Sequence, residues 1–89
     1  MLKIWGKLVK HNKIVKDEVV MSEGGENYQE NLKSCILELC RKFDIEKPYW
    51  LHANLEEYNK RSKTSFNSDN FIDEFKFDKF EIEEIDDEK

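Results

Sequence analysis

The stretch from Asn27 to Phe43, NYQENLKSCILELCRKF, constrains the fold more than any other segment of the chain. Tyr28, Leu32, Cys35, Ile36, Leu39 and Phe43 recur at i, i+4, i+7, i+8, i+11 and i+15, the spacing of one apolar stripe on an α-helix. Glu30, Lys33, Ser34, Arg41 and Lys42 fall away from that stripe, as a solvated face should. Asn27 followed by Glu30 reads as a capping box, which supplies acceptors to the otherwise unpaired N–H groups of the first turn. Gly24 and Gly25 break whatever precedes the helix. A helix with this stripe needs an apolar partner, and the flanking segments supply it as strands.

Leu2 to Met21 predicts a β-hairpin with His11 and Asn12 as its central turn residues, because Asn and His tolerate φ > 0 better than most. The register that best segregates apolar residues pairs Lys10 with Lys13, Leu8 with Val15, Ile4 with Val19 and Leu2 with Met21. Leu2, Ile4, Leu8, Val15, Val19 and Met21 then form the core face, with Gly6 among them where a missing side chain lets the helix approach. The outer face carries Trp5, Val9, Ile14 and Val20 among Lys3, Lys7, Lys16 and Glu18.

After the main helix, Pro48 forbids helix continuation, and Tyr49, Trp50 and Leu51 form an apolar cluster. Asn54, with Glu57 at the capping-box position, opens a second, short helix whose Leu55 and Tyr58 face inward. Asn67 or Ser68 starts a further helical turn, with Phe71 and Phe75 stacked at i, i+4. From Phe77 onward, Phe80 and Ile82 alternate with charged residues as a last strand, ending or bulging near Glu83 and Glu84. The expected fold is therefore α+β: an N-terminal β-hairpin, one main amphipathic helix, one or two short helices, and a C-terminal strand. That strand completes a small antiparallel or mixed three-stranded sheet. Residues 1–86 form a single domain and residues 87–89 an acidic polar tail.

The run KPYWLHANLEEYNKRSKTSFNSDNFIDEFKFDKFEIEEI from Lys47 to Ile85, with the opening IWGKLVKHNKIVKDEVV, resembles a family of short bacterial proteins of unknown function. Its marks are a Pro-aromatic-Trp-Leu cluster, a Thr-x-Phe step and a Phe-Asp-x-x-x-Ile strand, spread over nearly the whole chain. None of these is a catalytic signature, and the resemblance implies only that such chains stand alone as small proteins.

The net charge of −5 conceals an asymmetry: five lysines and no acid from Met1 to Lys16, against ten acids and three lysines from Asp69 to Lys89. Opposite signs imply either that the two ends lie side by side, with Glu81 and Glu83 facing the lysines of the first strand, or that each end meets a different partner. Cys35 and Cys40 lie about 140° apart on the helix and cannot share a metal, so they read as reduced, buried thiols. His11 and His52 have no argued partner, and the carboxylates lie in solvated runs without calcium-loop spacing. No phosphate-binding glycine loop or nucleophile elbow is present. No catalytic residue, metal or cofactor is therefore expected. The absence of an apolar run near ~20 residues or a secretory h-region points to a cytoplasmic protein without a membrane partner.

A small enzyme is the least favoured class, for want of any assembled catalytic group, and two classes stand ahead of it. One is a non-enzymatic protein-interaction or regulatory module, with an unknown protein partner or a homodimer on Trp5, Val9, Ile14 and Val20. The other is a nucleic-acid binder using Lys3, Lys7 and Lys16 as a basic face beside Trp5.

Overall fold

The computed structural model describes residues 2–22 and 27–85. His11 and Asn12 take φ of 55° and 63°, the left-handed pair that a two-residue hairpin turn demands. They join β1 (Leu2–Lys10) to β2 (Lys13–Ser22). There follow α1 (Tyr28–Phe43), α2 (His52–Arg61), β3 (Lys63–Phe66), a 3-10 turn at Ser68–Asn70, and β4 (Lys79–Glu84). The strands form one antiparallel sheet in the order β2-β1-β4-β3. The α+β expectation holds, with four strands where three were expected. The Gly24–Gly25 break and the 87–89 tail lie outside the described residues.

α1 forms where its stripe predicts it. Asn27 Oδ1 accepts from the Glu30 N–H at 2.9 Å, and Asp44, at φ 59°, closes the helix by donating its N–H to Arg41 and Cys40 carbonyls. Cys35, Ile36, Leu39, Cys40 and Phe43 are buried on the sheet, whereas Tyr28 remains half exposed and Leu32 half-buried. Gly6 is where the helix sits closest: a Cβ built there would lie 2.7 Å from a Leu39 methyl. Leu2, Ile4 and Leu8 surround that point on β1, with Phe80 and Ile82 beside them on β4. The Phe80 ring meets Phe43 edge-on at 6.0 Å and Phe66 of β3 at 5.8 Å.

The hairpin register departs from the expected one by a single residue. Leu8 faces Lys16 but Val9 faces Ile14, so Val15 is an extra residue without a partner. Beyond that bulge the pairs are Lys7 with Asp17, Trp5 with Val19, Ile4 with Val20 and Lys3 with Met21. A one-residue slip exchanges the faces of a strand. Val15, Val19 and Met21, expected in the core, are about half exposed, and Val20, expected outside, is buried at 6% exposure opposite Ile4.

The second correction is β3. The Thr-Ser-Phe step pairs with β4, putting Thr64 opposite Ile82 and Phe66 opposite Phe80. α2 begins two residues earlier than its expected cap, and Asn54 works from inside the first turn, where its Oδ1 accepts from the Leu51 N–H at 3.0 Å. Its Nδ2 donates to Thr64 Oγ1 and to the Ser65 carbonyl, both at 2.9 Å. Tyr58 points inward as expected, while Leu55 is half exposed. Phe71 and Phe75 do stack, at 4.2 Å and 12°, but the segment between them is not helical.

The Gly6–Leu39 approach yields a prediction. Gly6→Ala should cost about 1–3 kcal/mol by overpacking, and Leu39→Ala about 2–5 kcal/mol by leaving a cavity. The double variant, measured by denaturant unfolding, should lose less than the sum, because the new methyl enters space that Leu39 vacates. Strict additivity would mean that α1 does not rest on β1 at this point.

Candidate functional site

Among the described residues both helices pack on the same face of the sheet, and the other face carries none. The register assigns to it Lys3, Trp5, Lys7 and Val9 of β1, Ile14, Asp17, Val19 and Met21 of β2, Lys79, Glu81 and Glu83 of β4, and Lys63 and Ser65 of β3. At its centre the Lys7 ammonium lies 3.9 Å from the centre of the Trp5 ring, 3.3 Å from Glu83 Oε1 and 3.9 Å from Glu81 Oε1. Trp5 Nε1 donates to Asp17 Oδ2 at 2.9 Å. Lys7 is only 9% exposed, yet its charge is met on every side: two carboxylates from β4 and a π-face from its own strand. Opposition of Glu81 and Glu83 to the first strand's lysines was legible from the charge asymmetry. The Asp17 contact was not, since it depends on the shifted register.

The expected interface residues fare unequally. Trp5 is half-buried on the open face, Val9 nearly closed in beside it, and Ile14 54% exposed at the hairpin end. Val20 is on the helical side in the core and leaves the set, because the Val15 bulge inverts its strand. Val19 and Met21 take its place at 48% and 56% exposure. The three lysines of the alternative basic face are divided between the two sides of the sheet. Lys7 is held by two acids, Lys16 lies opposite Leu8 on the helical side, and Lys3 lies on the outer face with Trp5.

A second feature lies in the helical layer. A groove of about 320 Å³ runs between α1 and α2, lined chiefly by Tyr28, Leu32, Ile36, Trp50, Leu55 and Tyr58. Tyr28 Oη donates to Glu84 Oε1 at 2.6 Å and meets Tyr58 Oη at 2.9 Å, joining α1 and α2 to the end of β4. Burial, and then the bond to Glu84, raises the Tyr28 phenol well above its ordinary range. Burial pushes Tyr58 up to about 12 and the Cys40 thiol up to about 11, and it raises Cys35 as well. These groups stay protonated and inert near neutral pH. His11 offers its backbone N–H to Asp78 at 2.7 Å, and His52 meets Glu56 at 3.1 Å in an exposed helical pair. Among the described residues no group of three or more His, Cys, Asp or Glu side chains could hold a metal ion, and no helix is long and apolar enough to cross a membrane.

No family model, curated protein or solved structure matches this chain.

The raised thiol and phenols set the alkaline limit of stability. A group whose proton is held more tightly in the folded state contributes fully below its unfolded pKa, and that contribution is lost as pH rises through the folded one. Cys40 therefore weakens the fold from about 8.5, the ordinary thiol value, to about 11. Tyr58 weakens it from about 10, the ordinary phenol value, to about 12. Melting temperatures should be flat from neutrality to about pH 8.5 and then fall. Cys40→Ala should flatten the first part of that fall, and an unchanged slope would show that this thiol is not buried.

Proposed function

We propose that this protein is a small non-enzymatic interaction module that binds a protein partner through the open face of its sheet, with Trp5 as the anchor. The observation that carries the reading is the uncovered β1–β2 half of that face. Ile14, Val19 and Met21 stand about half exposed there around a fixed tryptophan. Apolar groups clustered on a surface are the usual mark of an interaction site, and tryptophan is over-represented among residues that dominate binding energy. Two restraints hold the indole, the Asp17 hydrogen bond and the Lys7 ammonium, so it loses little freedom when a partner covers it. Chemistry finds less support. The groups with raised pKa values lie in the helical layer, and their shifts make them poorer nucleophiles at neutral pH. The unpaired, buried thiols suit a reducing cytoplasm. A nucleic-acid role has weaker grounds, because the pairing of Lys7 removes the middle of the basic face.

Affinity capture from native cytoplasm, with and without nuclease, tests the reading. Trp5→Ser should lower the melting temperature by no more than roughly 8 °C, about 1 kcal/mol in a domain of this size, while abolishing nuclease-resistant capture. Loss of capture on nuclease treatment, or capture indifferent to Trp5→Ser, would overturn it. Outright unfolding of Trp5→Ser would place Trp5 in the core and remove the surface altogether.

A further inference from the structure

The groove between α1 and α2 lies on the helical side of the sheet, away from Trp5, and the open-face reading makes no use of it. Its volume of about 320 Å³ falls at the lower end of the roughly 300–1,000 Å³ typical of small-ligand sites. At about 30 Å³ for each water displaced, it holds about ten to twelve non-hydrogen atoms. Ile36 and Tyr58 are buried at its base, with Leu32 and Trp50 half-buried beside them. Trp50 and Tyr58 meet edge to face at 5.8 Å and give the base an aromatic wall. The polar atoms at that depth already have partners, since Tyr28 Oη donates to Glu84 and Tyr58 Oη is bonded to Tyr28 Oη. An apolar body can therefore lie on this base without stripping any group of a hydrogen bond.

The mouth has a different chemistry. Gln29, Lys33 and Asn59 are exposed there. Gln29 and Lys33 stand one turn apart on α1, and Asn59 belongs to α2. Among the described residues, Lys33 is the one charged side chain lining the groove, and it has no ion-pair partner. That stands out in a chain of 20 acids and 15 bases. One ammonium flanked by two side-chain amides offers donors to a single negative charge. A cationic ligand would meet Lys33 with no carboxylate in the lining to offset it, because Glu84 is engaged by both phenols and is not part of the lining. A dianionic phosphate would have one lysine to set against a chain of net charge −5.

We infer that the groove binds a small free carboxylic acid in its anionic form. The apolar body lies along Leu32, Ile36 and Trp50, and the carboxylate is held at Lys33. A saturated chain of about ten carbons fills the space. The site is weak, because about twelve atoms bind at the modest efficiency of small ligands and an exposed ion pair adds little. Its dissociation constant is on the order of 0.1–1 mM.

Fluorine NMR of the full chain labelled with 5-fluorotryptophan tests the assignment, with Trp50 as reporter and Trp5, on the other side of the sheet, as internal control. Decanoate, titrated from about 0.05 to 5 mM to span that range, should shift the Trp50 resonance and leave Trp5 in place. Butanoate should move neither, since each lost methylene weakens binding roughly two- to fourfold. Decyltrimethylammonium, the same chain with the opposite charge, should bind about tenfold more weakly. Lys33→Gln, at an exposed position, should weaken decanoate about three- to fivefold. Leu55→Glu, at a 50%-exposed residue of the lining, should abolish the shift. Should Leu55→Glu not fold, Lys33→Gln and the charge-reversed chain still decide. A silent Trp50, joint movement of both resonances, equal affinity for the two amphiphiles, or unchanged binding by Lys33→Gln overturns the inference. Trp50 moved by the captured protein partner and not by decanoate would overturn it too, and give the groove to a protein.

Discussion

Everything in this fold depends on β1 having a neighbour on each edge and a helix on one face only. Gly6 makes the helical contact possible, since α1 comes so close that any side chain there would press into Leu39. Leu2, Ile4 and Leu8 then meet the buried stripe of α1, and Phe80 and Ile82 of β4 extend the same surface. With α1 and α2 both on that side, no described element is left for the other. The buried side is held chiefly by apolar packing, while the open side must be held by its own contacts.

Those contacts are ionic and aromatic. Lys7 could not sit at 9% exposure without Glu81 and Glu83, and it lies against the Trp5 ring, whose Nε1–H donates to Asp17. The sheet thus presents a rigid indole without burying it. On the helical side a second polar set does comparable work. Asn54 bonds Leu51, Thr64, Ser65 and Asn70, and Asn70 in turn donates to the Tyr49 carbonyl at 2.6 Å. Among the described residues no buried side-chain polar atom lacks a partner, so this network fixes α2 and the loops against β3 without a desolvation cost left uncompensated.

Much of this was legible in the sequence where a single physical signal acted alone. The 3.6-residue stripe gave α1, the charge asymmetry gave the β1–β4 pairing, and a glycine on the inner face gave the seat of the helix. Reading failed where two signals competed. Val15, Val19 and Val20 allow either face of β2 to be apolar, and the choice rests on one extra residue at Val15, which strand propensity does not reveal. β3 was missed because Lys63 to Phe66 is short and its Thr64 enters the core on the strength of hydrogen bonds with Asn54 and Glu57 rather than its own hydrophobicity. The candidate surface inherited the first error: Trp5, Val9 and Ile14 were placed on the right face, Val20 on the wrong one, and Val19 and Met21 were overlooked.

The central claim is that the molecule meets its partner at Trp5 and not at the groove beside Trp50. Protein labelled with 5-fluorotryptophan gives one fluorine resonance for each of its two tryptophans, assigned by Trp5→Phe, and no further change to the chain is needed. The account predicts that adding the captured protein partner shifts or broadens the Trp5 resonance while the Trp50 resonance stays in place. Movement at Trp50 with Trp5 unchanged, or constancy of both, would contradict it.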